Sequence, residues 1–332
     1  MKISVIVPVL NEEETIGSLI DALCAQSRKP DEIVITDGGS TDKTTDIIKD
    51  RQGRDVPVRL LIEQQALPGR GRNVAAACAE HEWLAFVDAG IRPAVDWLEH
   101  LEARAISEPA VDVVYGSWNP VIDTFFRECA AIAYVPPPAP LNGIIIRPRS
   151  IASSLMRATV WRSVGGFPEH LRSAEDLLFM QRIEEAEFAT GYAPLASVNW
   201  NIQGSIGGTF RRFSVYSRNN LRAGLWRYWQ RTICIRYLVL FLTVVAAIFA
   251  GPLWLVLPAL LFAGSLVARS AIAIHRNRMV YPAGTVRNLG RIVVLCFILV
   301  ILDAAAIRGV ITWLIRDWPG SSTTVAGARN GA

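Results

Sequence analysis

Three acidic positions each follow a short apolar run that ends in a turn. Asp37 lies in Ile35-Thr36-Asp37-Gly38-Gly39-Ser40-Thr41-Asp42, and Asp88 in Phe86-Val87-Asp88-Ala89-Gly90. The pair Glu175-Asp176 opens a helical pattern shortly after Gly165-Gly166-Phe167. A carboxylate just past a strand can accept from a base N–H or a ribose hydroxyl, or hold a metal-bound diphosphate. A carboxylate at a helix start can act as a general base. Each position also has a plainer reading. Asp37 and Asp88 can simply form turns, with Ser40 capping the next helix, and Glu175-Asp176 can complement the helix dipole. The run Gly69-Arg70-Gly71-Arg72-Asn73 sets two arginines at a helix N-terminus, where a phosphate or nucleotide binds readily and where a capped turn would also fit. His81, His100, His170 and His275 lack ligand spacing and read as surface or structural residues.

Strands alternating with helices must position these groups. The pattern predicts strands over Ile3–Val7, Asp31–Thr36, Val58–Ile62 and Trp83–Val87. Helices are predicted from Glu12 to about Ala25 with Asn11 as N-cap, from Ser40-Thr41-Asp42, and over Gly71–Ala79. This order argues for an α/β fold with a mainly parallel sheet covered on both faces. Further on, Val111–Gly116 and Gly191–Trp200 read as strands, and Thr159–Val164 and Ala174–Glu187 as helices. Pro136–Pro140 reads as a loop or linker. The apolar start ends in Asn11-Glu12-Glu13-Glu14 with no small-residue cleavage site, unlike a signal peptide.

A chain of 332 residues with 51% hydrophobic and 19% charged residues allows about two domains and excludes a disordered chain. Mean hydropathy of +0.29 suggests that lipid solvates part of it. The five cysteines are odd in number and lack Cys-x-x-Cys spacing, which excludes a disulfide scaffold and an ordinary zinc site and fits a reducing compartment. The net charge of +4 hides a split: −9 over residues 1–187 and +13 over 188–332, where Asp303 and Asp317 are the only acids. A basic half can meet nucleic acid or a membrane surface, and the long apolar runs between its arginines favour the membrane. Residues 203–236 hold seven arginines interleaved with aromatics and no acid, the pattern of an amphipathic helix on anionic head groups. Tyr237–Ala268 is 32 residues without a charge, broken by Gly251-Pro252, and predicts two membrane helices over about 233–250 and 253–273. Ile292–Ile315 is a third candidate, weakened by Asp303 and Arg308, and is expected either to span or to pack against its neighbours and lie partly in the interface. The arginine-only loop at 275–291 is expected to face the cytoplasm together with the N-terminal domain.

Taken in order, Val5-Ile6-Val7-Pro8-Val9-Leu10-Asn11-Glu12-Glu13, Glu32–Asp42, the Arg72-Asn73 helix, Phe86-Val87-Asp88-Ala89, Gly165-Gly166-Phe167 and Glu175-Asp176 resemble the motif series of family 2 glycosyltransferases with the GT-A fold. The resemblance covers about residues 1–220, and the membrane tail is similar to that of members building exopolysaccharide or cell-wall glycan. It implies a Rossmann-like GT-A domain over 1–205, and the charge and hydropathy pattern adds a basic interfacial region over 206–232, a membrane region with two to three transmembrane helices over 233–316, and a flexible tail over 317–332. The resemblance also implies a nucleotide-sugar donor, an inverting displacement and no nucleic-acid partner. Pro8 and Glu12 would line the nucleoside pocket, Asp37 would contact the base, and Arg72 would help hold the nucleotide. Asp88, with Ala89 beside it, would meet the ribose and a diphosphate bound to Mg2+ or Mn2+. Asp176 would deprotonate the acceptor hydroxyl, with Glu175 orienting it or contacting the acceptor. Arg211 and Arg212 would meet a diphosphate or a lipid phosphate, or simply belong to an interfacial helix.

One departure stands out. The family's DXD motif reads Asp88-Ala89-Gly90, so a glycine replaces the second metal-binding acid. Another group, water or positive charge must then take its place, or the chain is a non-catalytic relative. The expected protein is a plasma-membrane enzyme with a cytoplasmic catalytic domain, acting on a hydroxyl of a lipid-linked saccharide or other glycan among membrane lipids. The alternatives are a polyprenyl-phosphate glycosyltransferase, whose acceptor is already ionised, and a membrane scaffold that binds nucleotide or glycan without catalysis.

Overall fold

The computed structural model describes residues 1–318 apart from 54, 142 and 228, so the expected flexible tail lies, from residue 319 onward, outside the described residues. The chain divides into two compact units. One comprises Met1–Val121 with Pro138–Asn201, and the other Ile122–Pro137 with the chain from Ile202 onward.

The first unit is built on an eight-stranded sheet. Strands β1 (Ile3–Val9), β2 (Glu32–Asp37), β3 (Val58–Ile62) and β4 (Trp83–Phe86) run parallel in the order β3-β2-β1-β4. The sheet continues through β9 (Ser154–Arg157), β6 (Val113–Pro120), β10 (Thr190–Trp200) and β5 (Ile91–Pro93). β6 and β10 pair in parallel, whereas β9 is antiparallel to both its neighbours and β5 is antiparallel to β10. A small hairpin of β7 (Ala139–Leu141) and β8 (Ile144–Ile146) stands apart, so the proline-rich stretch expected to be loop ends in a strand. The sheet is the mostly parallel α/β sheet that the sequence pattern predicts.

The continuous apolar run of β1 follows from burial on both faces. Ile3, Val5, Val7 and Val9 enter one core with Trp97, while Ile6 enters the other with Phe86 and Phe179. Helices α1 (Ile16–Cys24), α2 (Thr44–Lys49) and α4 (Trp97–Ser107) contribute to the unit, as do α3 (Pro68–Cys78), α6 (Ala158–Ser163) and α7 (Glu175–Glu185). α1 starts at Ile16, four residues later than expected, and Asn11 is not its cap. Asn11 has φ +53, and its side-chain oxygen accepts from Thr41 N at 2.9 Å. The Glu12 and Glu13 region is tied to the facing turn through Thr44 Oγ1 and Lys43 N. These residues brace the end of β2 against the end of β1, which a helix starting at Glu12 would prevent. α4 was not expected, although Trp97, Leu98, Leu101 and Ala105 form its buried face at helical spacing.

The second unit contains α5 (Phe125–Tyr134), α8 (Ile206–Arg222), α9 (Gln230–Ala250), α10 (Val256–Arg276) and α11 (Thr285–Arg316). Three helical segments, Gln230–Ala250, Leu253–Arg276 and Thr285–Arg316, are long and apolar enough to cross a membrane. Glu128 of α5 is paired by Arg287 and Arg291 of α11. Asp303 of α11 accepts from Arg236, Tyr237 and Arg269 of the two preceding helices. This pairing explains how an acid sits in the apolar middle of α11. Both arginines on it also exceed its charge, which leaves the group net positive.

Candidate active site

β4 ends just before Asp88, α3 carries Arg72, and α7 starts at Glu175, so three separated segments converge at the end of the sheet. Arg72 is only 4% exposed and joins them. Its Nη2 donates to Asp88 Oδ1 at 2.6 Å and its Nη1 to Glu175 Oε1 at 2.8 Å. Burial works against the guanidinium charge, but Asp88 and Glu175 outweigh it and hold its pKa above the ordinary value. The Arg72 guanidinium also lies over the Phe167 ring, 5.3 Å from its centroid, and Phe167 stacks on Phe179 at 3.8 Å. Arg70 has a different fate: it is half-buried and pairs with Glu63 and Glu169.

Asp176 follows Glu175 in the first turn of α7, its Oδ1 accepting from Leu177 N at 2.9 Å. Burial and the neighbouring Glu175 charge push its carboxyl pKa up to about 6, against a smaller pull downwards from Arg72. A carboxylate in that range is ionised at neutral pH and still basic enough to take a proton. Ala174, just before it, holds φ +71 at the helix start, a left-handed conformation that costs a non-glycine residue roughly 1–2 kcal/mol. Among the described residues, the buried atoms Glu175 Oε2, Arg72 Nε, Ser173 Oγ and Thr36 Oγ1 have no hydrogen-bond partner. Unpaired buried groups and strained backbone concentrate where a ligand completes the site.

The remaining sequence candidates are disposed as follows. Asp37 is fully buried, and both its oxygens serve its own turn, accepting from Gly39 N, Ser40 N and Ser40 Oγ. It shapes the 38–40 loop. Pro8 lies in β1 under α3, close to Gly71. Glu12 Oε2 accepts from Thr15 Oγ1 at 2.5 Å, and the Glu12 carboxylate stands beside Gly90. A Cβ on Gly90 would lie 3.5 Å from Glu12 Oε2. Gly90 itself has φ +77, a backbone that favours glycine. The residue that breaks the DXD pattern is thus required by the turn, and a carboxylate from another segment occupies its flank. Arg211 and Arg212 belong to α8, in the second unit.

Asn73 has a role that spacing did not disclose. It donates to Phe167 O and Glu169, and accepts from Phe167 N and Trp161 Nε1, at 2.9–3.0 Å. One side chain therefore fastens the loop that leads into α7. Asn73→Ala would orphan both backbone groups of Phe167, and unfolding in urea should show a loss of about 1–3 kcal/mol. A loss under about 0.5 kcal/mol would mean the loop is held by other contacts.

Among the described residues no cluster of three or more His, Cys, Asp or Glu side chains can hold a metal alone. Asp88 still suits a divalent ion that takes most of its shell from substrate phosphate and water. Its side chain is 36% exposed and only Oδ1 is engaged by Arg72. The partly exposed carboxylate of Asp88 fits such an ion, and the Glu12 carboxylate stands on the Gly90 side of the same turn.

Known proteins resemble this chain in sequence and in fold. The model of glycosyl transferase family 2 matches residues 4–139. The poly(ribitol-phosphate) beta-N-acetylglucosaminyltransferase TarS of Staphylococcus aureus is 34% identical over 190 residues, 55% of this chain and 32% of that protein. Glycosyltransferase AglE of Haloferax volcanii is 30% identical over 198 residues, 58% of this chain and 64% of AglE. The chain thus spans about a third of the length of TarS. The mannosyltransferase PcManGT of Pyrobaculum calidifontis, solved with GDP-Man and Mn2+, shares the fold with a TM-score of 0.55 and 19% identity, over 93% of this chain and 87% of that one. The ordered motifs and the mostly parallel sheet accord with the glycosyl transferase family 2 model over the matched residues 4–139.

Proposed function

We propose that this chain is an inverting glycosyltransferase. It moves a sugar from a nucleotide-sugar to a hydroxyl of a lipid-linked saccharide or other glycan, in polysaccharide or cell-wall synthesis. The observation that carries this reading is Asp176, with its raised pKa, next to buried Arg72, which bridges Asp88 and Glu175. Asp176 accepts the proton of the acceptor hydroxyl as that oxygen attacks the anomeric carbon, and the nucleoside diphosphate leaves from the opposite face of the sugar. Glu175, tied to Arg72, fixes the start of α7 and so the position of Asp176. Pro8, Glu12, the loop shaped by Asp37, and Ala89 line the nucleoside side. Asp88 meets the ribose and would hold Mg2+ or Mn2+, with Glu12 as the neighbouring acid that Gly90 lacks. When bound, the ion neutralises the charge of the leaving diphosphate.

A phosphate acceptor is already ionised near neutral pH and needs no base, so Asp176 favours a hydroxyl over a polyprenyl phosphate. The relatives' names, a poly(ribitol-phosphate) N-acetylglucosaminyltransferase among them, support an acceptor that bears hydroxyls. The arginine-only loop at 275–291 and the apolar α9 and α10 support a domain on the cytoplasmic face of the plasma membrane, with those two helices crossing it.

The test is a thermal-unfolding screen of the purified full-length protein against nucleotide-sugars with Mg2+ or Mn2+, followed by donor turnover. A true donor at about a hundred times its Kd should add about 2.7 kcal/mol. Turnover should collapse in excess chelator. Full turnover without metal would show that the arginines suffice. A protein that neither gains stability from any donor nor hydrolyses one is the non-catalytic scaffold.

A further inference from the structure

α11 is as long and apolar as a membrane-crossing helix, yet its partners lie in the wrong places for one. Near its start, Arg287 and Arg291 pair with Glu128 of α5. Gly290 lies against Phe125 of the same helix. Further along, Ser217 Oγ of α8 donates to the Ala306 carbonyl at 2.8 Å. Gly309 packs so closely on α8 that a Cβ there would stand 2.4 Å from the Ser217 Cβ. At the end, Arg218 makes two bonds to Asp317, at 2.7 and 2.9 Å. α8 cannot share the hydrocarbon with α11: its 17 residues include four arginines and two asparagines, and central arginines cost at least about 2.5–3.5 kcal/mol each.

Between the ties at Arg291 and Ala306 lie only residues 292–305, about 21 Å of helix against a hydrocarbon core of about 30 Å. Asp303 occupies part of that stretch and binds Arg236 and Arg269 near one end of each arm of the α9–α10 hairpin. The outward residues of α11 nonetheless form an apolar stripe at helical spacing, Val286, Leu289, Val293, Phe297, Ile311 and Ile315, interrupted by exposed Arg308, whose long side chain can reach up to the head groups. Exposed arginines of the same unit, Arg211, Arg222, Arg276 and Arg278, complement anionic head groups.

We propose that α11 does not cross the bilayer but lies along its surface, with the Val286–Ile315 stripe in the acyl boundary of one leaflet and α5 and α8 on its watery side, so that the α9–α10 hairpin alone enters the membrane. Trp318, just past the end of α11, is then on the side where α9 begins. This goes beyond the enzymatic reading and does not depend on it.

The test uses the full chain with different epitope tags at its two ends, in sealed vesicles of known orientation treated with protease. No described segment before Gln230 is long and apolar enough to cross, so the N-terminal tag reports the side on which α9 begins. Both tags should be cleaved in inside-out vesicles and both protected in right-side-out ones. The reverse pattern, again with both tags alike, would support the surface helix while ending the cytoplasmic assignment of the catalytic domain. One tag cleaved and the other protected would overturn the proposal. Depth gives a second measurement. Spin labels on Val286→Cys, Phe297→Cys and Ile311→Cys, with Cys78, Cys234 and Cys296 replaced, should report one shallow depth in vesicles of phosphatidylethanolamine and phosphatidylglycerol. A crossing helix would instead put the Phe297 label about 16 Å deeper than the Val286 label, and that result would also overturn the proposal.

Discussion

Asp176→Asn is expected to lower sugar transfer by about 10²–10⁴-fold while leaving donor affinity nearly unchanged. The amide keeps the oxygen that accepts from Leu177 N, so the start of α7 should be preserved, but it has no basicity to offer a hydroxyl. The pH dependence sharpens the test. With the Asp176 pKa pushed up to about 6, wild-type transfer should rise with pH, reach half its plateau near that value and stay level above it. The residual rate of the Asn variant should lack that step. Stability should move the other way. A carboxyl whose folded pKa exceeds its unfolded value contributes stability that is fully present below the unfolded pKa and lost as pH rises through the folded one. Removing the charge should therefore hold or raise Tm at neutral pH. If Asp176 only complemented its helix dipole, the same change would lower Tm and reduce transfer only in proportion to unfolded protein. A folded, donor-binding Asp176→Asn protein with near wild-type transfer would end the base assignment and favour a phosphate acceptor.

The largest loss of stability should come from Arg72→Met. The side chain is similar in length, but Glu175, itself 4% exposed, would be left with a buried charge and no cation. Breaking a buried pair from one side costs about 3–5 kcal/mol, and for a domain of this size each kcal/mol lowers Tm by about 2–4 °C. Asp88 loses the same anchor, so donor binding should fail as well, which Asp176→Asn would not cause. The penalty should be greatest at neutral and alkaline pH. Arg72 is the cation that pulls the Asp176 pKa down, so its loss raises that pKa further, and protonation in mild acid should recover part of the stability. Adding Glu175→Gln to Arg72→Met should also recover part of it, because the orphaned charge is gone. Arg72→Lys is expected to fall between, since one ammonium cannot present the two separated donors that reach Asp88 and Glu175. A cost below about 1 kcal/mol for Arg72→Met would show that the carboxylates are solvated rather than held by this residue.

Local sequence chemistry alone determined the class of sheet, the order of its first four strands' segments, the three carboxylate positions and the uncharged run of α9 and α10. These depend on near neighbours: a two-face apolar run for a parallel strand, glycine and aspartate at turns, and a charge-free stretch for lipid. The tertiary structure decided which of the candidates stand together. Arg70 and Arg72 are two residues apart and chemically alike, but only Arg72 is buried between Asp88 and Glu175. Asp37 and Asp88 both end strands, but Asp37 spends its oxygens on its own turn while Asp88 keeps one clear of Arg72. Glu12 reaches the flank of Gly90 from a segment some eighty residues away in sequence. α11 is the clearest case. Its composition is that of a spanning helix, but what a helix does with apolar residues depends on what packs on its other side, and here that side is held by the charged and polar groups of α5 and α8. Burial, pairing and pKa are set by groups distant in the chain and near in space, so they became readable only once the fold had brought those groups together.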